Sequence, residues 1–104
     1  MSSEEATQTT SSTNYKLPSG TTLQHATKLA IVEDKPIMFD YWTASCDQEV
    51  LIGVRDGGEK LLVKSEEEYT SPIVKIYKVH GCFIICTENS IYLVSADIPT
   101  KHIN

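Results

Sequence analysis

Between Ile37 and Ser95, six short segments rich in β-branched and aromatic residues follow one another, each bounded by residues that interrupt regular structure. No other feature of the chain constrains its fold as strongly. The segments are Ile37 to Trp42, Val50 to Arg55, Lys60 to Lys64, Ile73 to Val79, Cys82 to Thr87 and Ile91 to Ser95. Asp56-Gly57-Gly58-Glu59 contains consecutive glycines, which supply the positive φ angles of a tight loop, so the second and third segments should form an antiparallel hairpin. His80-Gly81 and Glu88-Asn89-Ser90 join the last three segments into a meander. Alternation along Ile73 to Val79 places Ile73, Lys75, Tyr77 and Val79 on one side and Val74, Ile76 and Lys78 on the other. Both sides are largely apolar, which requires cover on two faces or a sheet that curls.

Six strands in so short a stretch, with edges to protect, predict a mainly β domain: a small SH3-like or partly closed barrel, or a rolled antiparallel sheet. One helix precedes it. Thr21 with Gln24 fits a capping box, and Leu23, Ala26, Leu29 and Ala30 recur at helical spacing. Pro36 biases Lys35 away from helical dihedrals and should end the helix there. Its small alanines suit close approach to a sheet, so the helix is expected to plug one open end of the barrel. Met1 to Asn14 is almost entirely polar and carries too little apolar surface to offset the entropy of ordering it. The expected organisation is a flexible polar arm over 1–16, one β-rich domain over 17–97 and a tail over 98–104. Ser65 to Ser71, with Glu66, Glu67 and Glu68 in succession, predicts a solvated loop.

Fourteen acidic against nine basic side chains leave the 104-residue chain at a formal charge of -5 and a pI near 5.0. That balance provides no basic patch for nucleic-acid phosphates or anionic lipid, so neither nucleic acid nor a membrane is expected as a partner. Apolar runs such as Cys82 to Cys86 fall far short of the about 20 residues needed to cross a bilayer. The N-terminus has neither the basic region nor the apolar stretch of a secretory leader, and three cysteines make an odd count. The expectation is a protein that is not secreted, with reduced thiols in a cytoplasmic or nuclear setting.

Candidate chemistry is sparse. On a strand, Cys82 and Cys86 share a face but stand about 13 Å apart, too far to bond to each other or share a zinc ion. His80 adds no familiar zinc-ligand spacing, and His25 and His102 are isolated. Gly57-Gly58 lacks the Lys-Ser/Thr and helix of a phosphate loop, and Ser45 and Ser90 lack a nucleophile-elbow context. Asp40 interrupts an apolar strand and is expected to face water or a turn amide. No catalytic, metal or cofactor site is expected from these residues. Tyr41, Trp42 and Tyr69 adjoin loops, where large rings can serve a contact surface, and Tyr15 and Leu17 could anchor the arm on a neighbour.

Two resemblances bear on function. Asp34-Lys35-Pro36-Ile37-Met38-Phe39-Asp40-Tyr41-Trp42-Thr43-Ala44-Ser45-Cys46 resembles the stretch of the thioredoxin family in which an apolar strand and an aromatic pair deliver a nucleophilic cysteine to a helix N-terminus. Ser71-Pro72-Ile73 is similar to that family's cis-proline strand. The resemblance implies redox chemistry at Cys46, although Glu49 stands where the second cysteine would be and Val50 to Val54 reads as a strand. Ile73 to Asn104, with its ending Asp97-Ile98-Pro99-Thr100-Lys101-His102-Ile103, resembles short β-rich proteins encoded by large DNA viruses. That likeness implies a structural or host-interaction role in the host cytoplasm or nucleus, or in the virion. The expectation is therefore a non-enzymatic interaction or structural module, a minor component of a larger assembly, acting through a protein partner or self-association. A thioredoxin-like redox protein using Cys46 is the alternative.

Overall fold

The computed structural model describes residues 16–104. Helix α1 (Gly20–Glu33) leads into β1 (Ile37–Met38), a short helix α2 (Trp42–Cys46), and then β2 (Leu51–Val54), β3 (Lys60–Ser65) and β4 (Glu68–Tyr69). The chain continues through β5 (Ile73–Val79), β6 (Cys82–Thr87), β7 (Ile91–Ser95) and β8 (Thr100–His102). The strands form two four-stranded sheets, a first in the order β1-β7-β6-β5 and a second in the order β4-β3-β2-β8. Pairing is antiparallel except at one edge of each sheet, where β1 joins β7 and β8 joins β2 in parallel.

The mainly β class holds, but the two sheets stack instead of closing into a barrel. A barrel wall has one dry face, whereas β6 and β7 are apolar on both. Cys82, Ile84, Cys86, Ile91 and Leu93 face one core with Ala26 of α1 and Trp42. Ile85 and Val94 face a second core with Tyr41, Val50, Ile52, Leu62 and Ile98. The first sheet is thus the middle layer between α1 and the second sheet, an arrangement that covers both faces of its central strands. Accordingly α1 lies along a sheet face through Leu23, Ala26, Leu29 and Ala30 and plugs no barrel end.

Local chemistry accounts for the element boundaries. Ser19, and not Thr21, caps α1: its Oγ accepts from the Thr22 amide at 3.0 Å. The Thr22 hydroxyl then donates to the Val79 carbonyl at 3.0 Å, tying the helix start to the end of β5. Asp34 ends the helix in the left-handed region at φ 57°, its amide bonded to the Ala30 carbonyl. In the hairpin between β2 and β3, Gly57 and Gly58 both adopt φ 92°, and His80 and Gly81 turn the β5–β6 hairpin at φ 46° and 76°.

Several expectations are corrected. The strand expected over Ile37 to Trp42 stops at Met38, and Tyr41 opens α2. The physical reason is that β1 finds a partner only at Ile91 and Tyr92, after which the chain turns and the Trp42 amide bonds the Phe39 carbonyl. The loop expected over Ser65 to Ser71 contains β4, paired with β3. Residues 98–104 are not a tail: Ile98 is buried and Thr100–His102 pairs with β2. Strict alternation along β5 fails at Val74, which is inserted between the pairs Ile73 with Thr87 and Lys75 with Cys86. The bulge turns Ile73 toward the core shared with the second sheet, alongside Ile76, and leaves Val74 exposed. Apart from Lys16, the arm expected over 1–16 lies outside the described residues.

Candidate interaction surface

Because side chains alternate along a strand, the inward positions of the second sheet determine what stands on its far side. Ile52 of β2 and Leu62 of β3 point into the core. Leu51 and Gly53 on β2, opposite Val63 and Leu61 on β3, therefore face outward. Tyr69 of β4 sits opposite Val63 and extends this row. From beyond β8, Ile103 reaches across Gly53: a Cβ at position 53 would lie 2.6 Å from Ile103 Cδ1 and 3.1 Å from Val63 Cγ2. Glycine at 53 is thus what lets the last residues of the chain lie close to the sheet.

The result is an open groove of about 670 Å³ on the outer face of the second sheet, with a floor of Leu51, Leu61, Val63, Tyr69 and Ile103. Tyr69 is 52 % exposed, while Leu61, in the same lining, is buried. Charged groups surround this floor. Arg55 pairs with Glu59 at 3.0 Å and stands 6.0 Å from the centre of the Tyr69 ring. Lys64 lies 3.9 Å from Glu68. Glu49 and Glu66 also line the groove, and neither has an ion-pair partner among the described residues.

The residues singled out in the sequence separate sharply. Tyr69 lies in the groove, whereas Leu17 is exposed elsewhere and is absent from its lining. Tyr15 lies outside the described residues. Tyr41 and Trp42 are core residues, not surface anchors. The Trp42 indole N–H donates to the Lys16 carbonyl at 2.7 Å, and Tyr41 meets Tyr92 edge-on at 5.4 Å between ring centres. Burial, with smaller contributions from Glu68, Tyr92 and Asp40, pushes the Tyr41 hydroxyl up to about 12. Asp40 itself is exposed, as expected.

Cys46 closes α2 instead of opening a helix, so no N-terminal amides stabilise a thiolate there. Burial raises its pKa, against smaller lowering effects of Lys16 and the Ser45 hydrogen bond. Val50 is buried and β2 begins at Leu51, where the thioredoxin-like arrangement needs a helix. Cys82 and Cys86 are buried on the α1 side of the first sheet.

Sequence reasoning missed Leu51, Leu61, Val63 and Ile103. The signal was present in Val50-Leu51-Ile52 and Leu61-Leu62-Val63, where three consecutive apolar residues on a strand cannot all face one core. Ile103 carried no such signal, since its place depends on the pairing of β8. Among the described residues no three His, Cys, Asp or Glu side chains gather as a metal site, and no helix is long and apolar enough to cross a membrane. No protein-family model matches the chain, and comparison with curated proteins and with solved structures found no match.

Proposed function

We propose that this chain is a non-enzymatic interaction module that binds a protein partner through the outer face of the second sheet and serves as a component of a larger assembly. The observation that carries this reading is the apolar groove floored by Leu51, Val63, Tyr69 and Ile103. Every other sheet face is covered: the first sheet by α1 on one side and by the second sheet on the other. Sheet edges are poor alternatives. β1, β4 and β8 span only two or three residues, and the longer β5 is interrupted by the Val74 bulge and carries Lys75 and Lys78. Short, bulged, lysine-bearing edges resist strand addition, which leaves the face as the better contact. The likeness of the C-terminal third to β-rich viral proteins points to the same kind of role. The redox alternative draws no support from Cys46, which lacks both a second cysteine and a helix N-terminus.

Affinity capture from the native source, run in parallel with the wild-type chain and Tyr69→Ala, tests the proposal. Tyr69 is half-exposed, so its loss should leave the fold in place, as an unchanged circular dichroism spectrum would show. A partner should co-purify with the wild type and be depleted with the variant. Equal recovery by both would remove the groove from the interaction.

A further inference from the structure

Among the described residues, the layer order leaves one position empty. α1 covers the outer face of the first sheet, but no helix among the described residues covers the outer face of the second. Sheets with an apolar face are stably capped by amphipathic helices, whose apolar stripe fills the space between side chains of alternate strand positions. The groove has such a stripe, running from Leu51 over Val63 to Tyr69, with Ile103 at its margin.

Charge then selects the occupant. Arg55 and Lys64, which also line the groove, each pair with a glutamate of the chain, Glu59 and Glu68, whereas Glu49 and Glu66 stand at the groove without an ion-pair partner among the described residues. A second copy of this chain would bring another -5 charge and another set of unpaired glutamates against the first. An acidic helix would do the same. A helix with basic residues flanking its apolar stripe would instead find its counter-charges already in place, and the negative field of the chain would speed its approach. Resting on the interaction reading above, we infer that the outer face of the second sheet docks a basic amphipathic helix of a partner protein, which supplies the missing outer layer. Tyr69 and Val63 contact its apolar stripe, and Glu49 and Glu66 contact its cationic flanks.

Three synthetic helical peptides of about 14 residues, long enough to cross the sheet at 1.5 Å per residue, share one leucine stripe and differ in carrying Lys, Gln or Glu on the flanks. Each is titrated into the isotope-labelled chain while backbone amide shifts are followed, and sedimentation reports the oligomeric state of the free chain. The Leu/Lys peptide should bind most tightly, weaken with added salt, and shift the amides of Leu51, Val63, Tyr69 and Ile103. Tyr69→Ala should abolish those shifts, and Glu49→Lys with Glu66→Lys should weaken the Leu/Lys peptide by roughly tenfold while strengthening the Leu/Glu peptide. Circular dichroism and an unchanged melting curve establish that each variant is folded. Equal binding of all three peptides at these residues would overturn the basic partner and leave the interaction surface standing. Shifts confined to another face, or no shifts with any peptide, would overturn helix docking. Tyr69-dependent capture from the native source would then still uphold the interaction reading. Dimerisation through Tyr69 would assign the face to a second copy.

Discussion

Trp42 and Tyr41 are neighbours in sequence but serve opposite sides of the first sheet, Trp42 in the core under α1 and Tyr41 in the core between the sheets. Each is large, buried and hard to replace. Trp42→Ala removes the ring and its hydrogen bond to Lys16, and a loss of about 3 to 5 kcal/mol is expected in denaturant unfolding, enough to abolish folding in so small a domain. Trp42→Phe keeps most of the packing and should cost far less. Tyr41 predicts an alkaline effect. Its hydroxyl titrates near 10 when exposed and is pushed up to about 12 in the fold, so between those values the unfolded chain holds fewer protons than the native one. Stability is complete below pH 10 and falls as pH rises toward 12, by about 2 to 3 kcal/mol. Tyr92 is shifted in the same direction by burial and adds to the fall. Tyr41→Phe should flatten the loss measured by denaturant titration across that range, and an unchanged slope would show that Tyr41 ionises freely.

Among the elements, α1 offers a clean test because two residues compete to start it. Thr21 with Gln24 satisfies the pattern of a capping box, yet Ser19 holds the position. The reason is tertiary: starting at Gly20 buries Thr22 and lets its hydroxyl reach Val79, whereas a later start would lose that bond. Ser19→Ala should lower stability by about 1 kcal/mol, and Thr21→Ala, at an exposed position, should change it little. Chemical denaturation of the two variants distinguishes the caps. α2 has a similar lesson. Its sequence reads as the end of a strand, but β1 has only Ile91 and Tyr92 to pair with, and the Ser45 hydroxyl is needed to accept the Ser95 amide at 2.8 Å beyond the end of that pairing.

At the scale of the whole molecule, both cores share β6 and β7. Opening either core exposes one face of these strands, and releasing their amides requires loss of both. Their amides should therefore exchange with solvent only through global unfolding, while those of β4 and β8, on the edges of the second sheet, exchange through local opening. Native-state hydrogen exchange would show this as one slow class over Cys82–Thr87 and Ile91–Ser95. If β6 amides exchanged as fast as those of β8, the middle layer would not be the stability centre of the fold.

The local periodicities by themselves determined the mainly β class, the hairpin turns at Gly57-Gly58 and His80-Gly81, the apolar stripe of α1 and its end before Pro36. They also required that the meander be covered on both faces or curl, because consecutive apolar residues on a strand leave no side for water. Which element covers which face was decided only in three dimensions. Stacking against closure depends on contacts between segments far apart in sequence, as do the parallel pairings of β1 and β8, the Val74 bulge, and the seating of Ile103 over Gly53. The candidate site belongs to this second group. Tyr69 was visible as a ring beside a loop, but its companions become a groove only when β8 pairs with β2 and sets Ile103 across the sheet. No local pattern encodes that register, because each partner gains its stability from the other.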